Sequence, residues 1–244
     1  MVSLVTNKNE LFFLPADPYS ARITALAETY GTELDFAMFW IQKKDDKPVA
    51  AISRVDGNMT LCCEENADFE ELSCFFNAVG YSSITFDAKY AEKLGILPQK
   101  TSYTVKYVGG AERFDYEILF DYDKKKIYSL LCECGFELGD YNAFLSDVCA
   151  RLNKSTASLA AKESEGELCA CAFALFEGEK SVLLGAVATN PAARGKGYAS
   201  KLVGTLAGMK SGKDVFLFCR NDSLADFYTK IGFEINGKWA VHEN

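Results

Sequence analysis

The chain has 244 residues, of which 49% are hydrophobic and 25% charged, which suffices for one large or two small globular domains. Its net charge of -8 argues against nucleic acid or an anionic membrane as the main partner. No run is long and apolar enough to cross a bilayer, and the N-terminus does not resemble a secretory signal, so we expect a cytoplasmic protein.

Nine cysteines and a single histidine narrow the possible chemistry. In a reducing compartment, small buried thiols are favoured over disulfides. The close pairs Cys132 with Cys134 and Cys169 with Cys171 lack the usual zinc spacing, so no metal site is predicted. Because His242 is the only histidine, a mechanism built on a Ser-His-Asp or Cys-His arrangement is disfavoured.

The first half predicts three strands, a helix, a strand and a second helix. The strands cover residues 36–42, 49–55 and 59–63, with an Asp-Gly-Asn turn at 56–58 before the third. A helix follows over 68–79, then a strand over 83–86 and a helix that ends at Gly95.

The second half predicts the same order of elements, which indicates an internal repeat. Its strands cover 156–162, 167–176, 180–189 and 215–219, its helices 197–210 and 224–230, and a last strand pair 233–241. The closest match between the halves joins residues 88–95 to 225–232. Two glycines at 109–110 place the boundary, giving domains 1–110 and 111–244, with residues 114–120 opening the second unit.

The segment 187–199 carries the strongest chemical signal. A strand ends, the chain turns at Asn190-Pro191, and a glycine-containing loop opens a helix. Such a loop can aim backbone N–H groups at one anion beside the positive end of a helix dipole. The spacing is neither that of a P-loop nor that of a dinucleotide fingerprint, since Ser200 stands where the third glycine would be. A plain strand-to-helix turn is the alternative.

Two signatures together resemble the GNAT N-acetyltransferase family. Residues 194–199, Arg-Gly-Lys-Gly-Tyr-Ala, resemble its R/Q-x-x-G-x-G/A motif. Residues 221–233 resemble its second motif, roughly N-x-x-A-x-x-F-Y-x-x-x-G-F, with Leu224 in place of the usual alanine. The clear resemblance covers residues 155–233, and the elements from Phe114 onward fit only loosely. The resemblance, together with the internal repeat, implies an α+β fold of tandem GNAT-like domains, each with a mostly antiparallel central sheet flanked by helices.

The resemblance also implies a role for each matching residue. Backbone groups of the loop would bind the pyrophosphate of acetyl-CoA, and the strand before it would splay from its neighbour to admit the pantetheine arm. A backbone N–H near Val187 or Ala188 would polarise the acetyl carbonyl. Tyr228 would be the general acid to the leaving thiolate, with a packed core aromatic as its alternative. The implied coenzyme-binding residues are Val187, Ala188, Thr189, Arg194, Gly195, Lys196, Gly197, Tyr198, Ala199, Ser200 and Asn221.

The first half lacks the corresponding groups. Residues 62–68 contain three acids and no glycine or basic residue where the phosphate loop would fall, and Ala91 occupies the tyrosine position. This half is therefore expected to be a degenerate copy that supports the active half and walls the acceptor cleft.

The predicted function is direct transfer of an acetyl group from acetyl-CoA to an amine. A non-catalytic acyl-CoA-binding sensor is the alternative, and a structural protein with an accidental turn is a third hypothesis. The strand before the loop has no carboxylate, so the general base is unassigned. Residues 121–153 mix aromatics with acids that would attract a cationic amine, but a plain helix surface is the favoured explanation of these acids.

Overall fold

The computed structural model describes residues 1–110 and 117–244. Its centre is one sheet with the strand order β1-β2-β3-β4-β5-β11-β6-β10-β9-β8-β7. Neighbouring strands are antiparallel except β4 with β5 and β9 with β10, which are parallel. The strands are β1 (Val2–Leu4), β2 (Ala37–Lys44), β3 (Lys47–Val55), β4 (Asn58–Cys63), β5 (Ser83–Asp87), β6 (Lys100–Tyr107), β7 (Ser158–Ser164), β8 (Glu167–Glu177), β9 (Ser181–Thr189), β10 (Asp214–Phe218) and β11 (Phe233–Glu243).

Seven α-helices accompany the sheet within the described ranges. They are α1 (Pro18–Tyr30), α2 (Phe69–Val79), α3 (Ala91–Leu94), α4 (Lys124–Glu133), α5 (Tyr141–Asn153), α6 (Tyr198–Met209) and α7 (Asp222–Thr229). None of the helices in this part of the chain has the length and apolar character needed to cross a membrane.

The two halves exchange their last strands. β6 ends the first half by sequence yet pairs with β10 of the second half, and β11 ends the second half yet pairs with β5 of the first. β6 and β11 then pair with each other, antiparallel, at the middle of the sheet. This arrangement gives the sheet an approximate two-fold symmetry and makes it continuous across both halves.

Helix α1 also joins the halves. It packs against β2, β3 and β4 on one side and β8, β9 and β10 on the other. β3 and β9 are six places apart in the strand order, about 29 Å in a flat sheet, whereas a helix is about 10 Å wide, so the sheet must curve around α1. Buried hydroxyl contacts tie the helix to the second half, including Thr29 to Thr156 at 2.6 Å.

The approach of α1 requires a glycine at the turn between β8 and β9. A Cβ on Gly178 would lie 2.9 Å from the Ala21 Cα atom, which is closer than real Cβ contacts allow. On the opposite face of the same strands lies α6. Alternation along β9 sends Leu183 toward α1 and its neighbours Val182 and Leu184 toward α6.

The α+β class with a mostly antiparallel sheet is confirmed, and the predicted elements of both halves match the observed ones to within about three residues. One element prediction was wrong: residues 233–241 form part of the single strand β11 instead of a strand pair. Gly237, at the register shift with β6, bends this strand without ending it. Helix α1 and strand β6 were not predicted.

The boundary between residues 110 and 111 stays a proposal. Of the predicted opening of the second unit, residues 114–116 lie outside the described residues, and Leu119 forms an isolated bridge with Ala161.

Candidate active site

A bulge in β9 opens the sheet. Parallel pairing of β9 with β10 runs from Ser181 to Leu184 and stops there, although β9 continues to Thr189. On its other side, the register with β8 shifts between Gly185 and Ala188, and Ala186 takes a φ of 48°, a left-handed conformation that is rare for a residue other than glycine. The bulge bends the end of β9 away from β10, and a gap results.

The loop after β9 contains two glycines and leads into the N-terminus of α6. Gly195 and Gly197 have φ of 78° and 75°, a conformation that glycine adopts without strain. Gly197 is the N-cap of α6, and as a glycine it has no side chain of its own with which to cap the helix. The backbone N–H of Lys201, in the first turn of α6, donates a hydrogen bond to the Gly197 carbonyl at 3.1 Å. The first turn therefore combines N–H donors with the positive end of the helix dipole.

The equivalent helix of the first half is closed. The carboxylate of Asp68 accepts a hydrogen bond from the Glu71 N–H at 3.0 Å, capping α2 with a negative charge. Thus the same place in the repeat can receive an anion in one half and is already occupied by one in the other.

A cavity of about 620 Å³ joins the loop to the gap between β9 and β10. Most of the predicted coenzyme-binding residues line it. They are Val187, Ala188, Thr189, Arg194, Gly195, Gly197, Tyr198, Ala199 and Ser200. Arg194 is exposed, and its Nε donates to the Thr189 carbonyl at 3.3 Å. No acidic side chain is among the described residues that line this cavity.

Tyr228 also lines this cavity and is the sole predicted catalytic residue. Its side chain is 4% exposed and packs edge-on against Phe227 and Phe233. Burial raises the pKa of the Tyr228 phenol above its usual value, Cys219 adds to the increase, and Arg220 opposes it. The hydroxyl is therefore protonated at neutral pH.

Two predicted residues lie outside the lining of this cavity. Lys196 is exposed. Asn221 is the N-cap of α7, where its Oδ1 atom accepts hydrogen bonds from the Leu224 N–H at 3.0 Å and the Ser223 hydroxyl at 2.8 Å.

A second cavity, of about 890 Å³, adjoins the first and was not predicted in detail. The two share Phe136, Gly185, Ala186, Phe218 and Arg220. Both halves of the chain contribute the remaining wall, as expected for a cleft between domains.

Of the acids in residues 121–153 that were expected to attract a cationic amine, Glu137 alone is among the described residues that line the second cavity. Arg220, which lines both cavities, was not predicted as a site residue. It lies directly after a predicted strand and before Asn221, but it belongs to neither of the two signatures.

Comparison with known proteins places this site in a family. Residues 155–235 match the family model described as an acetyltransferase (GNAT) domain. This segment is therefore a GNAT-type domain, and the resemblance seen in the two signatures is confirmed. No curated protein matches the chain significantly.

Solved structures extend the likeness over the whole chain. A GNAT-family acetyltransferase from Colwellia psychrerythraea is 11% identical, covers 100% of this chain and 99% of its own, and has a TM-score of 0.58. A tandem GNAT protein from the clavulanic acid biosynthesis pathway is 11% identical, with coverages of 99% and 97% and a TM-score of 0.57. A Drosophila protein is 10% identical, with coverages of 100% and 98% and a TM-score of 0.63. At these identities the likeness establishes the fold, including its tandem arrangement.

Proposed function

We propose that the protein transfers the acetyl group of acetyl-CoA to an amine of a small molecule or peptide, by direct attack in a ternary complex. The observation that carries this proposal is a single cavity that joins the glycine-flanked N-terminus of α6, the gap between β9 and β10, and the buried residue Tyr228. These supply an anion site, a slot for an extended arm and a proton donor, which are the three features that a coenzyme A thioester needs.

The N-terminus of α6, with Arg194, would hold the pyrophosphate, and the glycines of the loop leave its backbone accessible. The pantetheine arm would run along the gap, where β9 no longer pairs with β10. A backbone N–H near Val187 or Ala188 would polarise the thioester carbonyl, and the bulge at Ala186 sets the direction of these groups.

The chemistry starts when the acceptor amine, in its neutral form, attacks the thioester carbonyl carbon. A C–N bond forms, the C–S bond breaks, and the departing sulfur accepts a hydrogen bond or proton from Tyr228. The amine loses its proton to water or to a carboxylate beyond the first cavity, whose described lining contains no acid. Positioning and carbonyl polarisation are the main contributions of the protein.

A non-catalytic acyl-CoA-binding module is the rival function. Such a module has no need for a protonated phenol at the end of the gap, so Tyr228 favours catalysis. We further propose a cytoplasmic location, which the nine free cysteines support.

Calorimetric titration with acetyl-CoA tests the site, with a matched pair of variants at Gly197. Asn and Asp have the same shape and both tolerate a positive φ, so Gly197→Asn and Gly197→Asp differ mainly in charge. We expect the wild type to bind, Gly197→Asn to bind within a few-fold of it, and Gly197→Asp to bind at least about tenfold more weakly, because its carboxylate repels the pyrophosphate.

Equal loss in the two variants would contradict the anion site at α6. Absence of binding by the wild type would remove the enzyme hypothesis in favour of a scaffold. Thiol release from acetyl-CoA in the presence of amines then separates an enzyme from a binding module.

A further inference from the structure

The second cavity lies where an acceptor would meet the thioester. Gly185 and Ala186, beside the β9 bulge, form part of both cavities. The rest of its wall comes from places that the strand exchange brings together: Arg22 on α1, Lys100 at the start of β6 and Trp239 on β11. Phe218, at the end of β10, also lines both cavities, so a molecule bound here would lie next to the first cavity.

The charge of this cavity is opposite to that of the protein. The chain carries a net charge of -8, yet the ionisable side chains described in the second cavity are Arg22, Lys100 and Arg220 against Glu137 alone. Lys100 has an exposed partner, Glu243, at 3.6 Å. Arg220 stacks on Phe136, with its guanidinium carbon 4.3 Å from the ring centroid. The cavity therefore favours an anionic group.

Arg22 is the cation with the least compensation. Its Nε atom is buried and has no hydrogen-bond partner among the described residues. Its guanidinium lies over the Phe176 ring at 5.4 Å, and Arg151 lies over the same ring at 5.1 Å. The nearby acid, Asp147, already forms an ion pair with Arg151 and accepts a hydrogen bond from the Tyr30 hydroxyl at 2.5 Å.

The guanidinium of Arg22 keeps its charge in this setting. Burial, and then repulsion from Arg151, lowers its pKa to about 10, which still leaves it protonated at neutral pH. A partly buried cation without a hydrogen-bonded anion is costly, and a carboxylate matches the guanidinium fork better than any neutral group.

Aromatic rings form the other part of the wall. Phe136, Phe176, Phe218 and Trp239 line the cavity, and the Trp239 ring is held by a hydrogen bond from its Nε1 to the Cys219 carbonyl at 2.8 Å. Rings at fixed positions favour an apolar or aromatic body on the ligand.

We infer that the acceptor is a small amine that also carries a carboxylate, with the carboxylate bound to Arg22 and an apolar body against Phe218 and Trp239. This inference rests on the proposed function, because it assumes that the second cavity holds the acceptor. It assigns to α1, and so to the first half of the chain, the recognition of the substrate.

The test compares phenylalanine with phenylalaninamide, in which a neutral carboxamide of nearly the same shape replaces the carboxylate, at a pH low enough that the amine of both is protonated. Both are titrated calorimetrically into the protein saturated with coenzyme A, in the wild type and in Arg22→Met and Arg22→Lys. In the wild type we expect the acid to bind at least about tenfold more tightly than the amide, as for one charge-assisted pair. The ratio falls to about one in Arg22→Met and recovers in part in Arg22→Lys, which keeps the charge without the fork.

The ratio of acid to amide separates recognition from a structural effect, because damage to the fold weakens both ligands alike. Equal binding of the two in the wild type, no binding of either, or an unchanged ratio in Arg22→Met overturns the inference. Titration with acetyl-CoA distinguishes failure of this inference from failure of the proposed function. If the wild type does not bind acetyl-CoA, the proposed function fails. If it binds acetyl-CoA tightly but does not prefer phenylalanine to its amide, the proposed function stands and only this acceptor class is excluded.

Discussion

Tyr228 has a core position and, in the proposed reaction, a chemical task. Its ring is buried against Phe227 and Phe233, and the residue also lines the first cavity. Burial raises the pKa of the phenol, because the phenolate would have to be held away from water. A group with a raised pKa holds its proton to higher pH than a free tyrosine, so it is a stable donor and a poor base.

Replacing Tyr228 with Phe removes the hydroxyl and keeps the packed ring. If the hydroxyl protonates the leaving sulfur, kcat should fall by about 100-fold, the low end of the contribution of a general acid. The dissociation constant of acetyl-CoA, measured by calorimetry, should stay within about twofold, because one hydroxyl adds little to binding a ligand of this size. Steady-state thiol release at saturating acetyl-CoA gives kcat.

Tyr107→Phe is the matched control, since Tyr107 packs on the same Phe233 ring and does not line the first cavity. It should leave kcat nearly unchanged. The raised pKa adds a second criterion: the wild-type rate should show no decline from loss of the Tyr228 proton below about pH 10. Similar kcat values for Tyr228→Phe and the wild type would assign the residue to packing alone.

Strand β9 carries local strain at the place where the site opens. Ala186 is held at a φ of 48° within a strand, and the bulge it forms ends the pairing with β10. Such conformations persist when the surrounding structure holds them, and they are found at functional sites. Here the strain produces the gap that the proposed coenzyme site needs.

The cost of this conformation depends on the side chain at residue 186. Ala186→Val introduces a β-branched residue at positive φ and should lower the free energy of unfolding by about 1–3 kcal/mol. Ala186→Gly accepts the conformation and should lie within about 1 kcal/mol of the wild type, because relief of strain offsets the greater freedom of the unfolded chain. Chemical denaturation measures both. A valine variant as stable as the wild type would show that the bulge is not strained.

Whether a strand or helix could be predicted from the sequence depended on how it is buried. Strands that are buried on one or both faces and bounded by turns, such as β3 and β4 around Gly57, were visible in the sequence. α1 was not, because it contacts strands from both halves and so buries residues on several sides, which hides the helical period. β6 was missed because its alternation of Thr, Tyr and Lys is weakly apolar, with Val105 as its fully buried hydrophobic residue.

Only part of the candidate site could be predicted from the sequence. Backbone-based binding leaves a glycine pattern in the sequence, so the loop from Arg194 to Ser200 could be found. The second cavity could not, since Arg22, Lys100 and Trp239 meet only through curvature of the sheet and the exchange of β6 and β11. A cavity lined by both halves of the chain is a property of the tertiary structure.

The exchange of strands should make the molecule fold as one unit. Val105, on β6 of the first half, is fully buried in the hydrophobic core of the second half, while Ala240, on β11, is buried in that of the first. Neither half can complete its core without a strand from the other. The sequence repeat therefore does not correspond to two independently stable bodies.

The two tryptophans can report this coupling separately. Trp40 lies on β2 in the core of the first half, and Trp239 lies on β11 near the centre of the sheet. Each single-tryptophan variant, Trp40→Phe or Trp239→Phe, keeps one fluorescent reporter. In each variant, the denaturation midpoint measured by fluorescence should coincide with the midpoint measured by circular dichroism.

Adding Val105→Ala to each variant should lower the free energy of unfolding by the same amount, about 2 kcal/mol, because it removes two buried methyl groups. Leu97→Ala, at a side chain that is 85% exposed, should shift neither. A Val105→Ala shift confined to one tryptophan would mean that the halves unfold separately, and the second cavity, which both halves line, would then open and close with the less stable half.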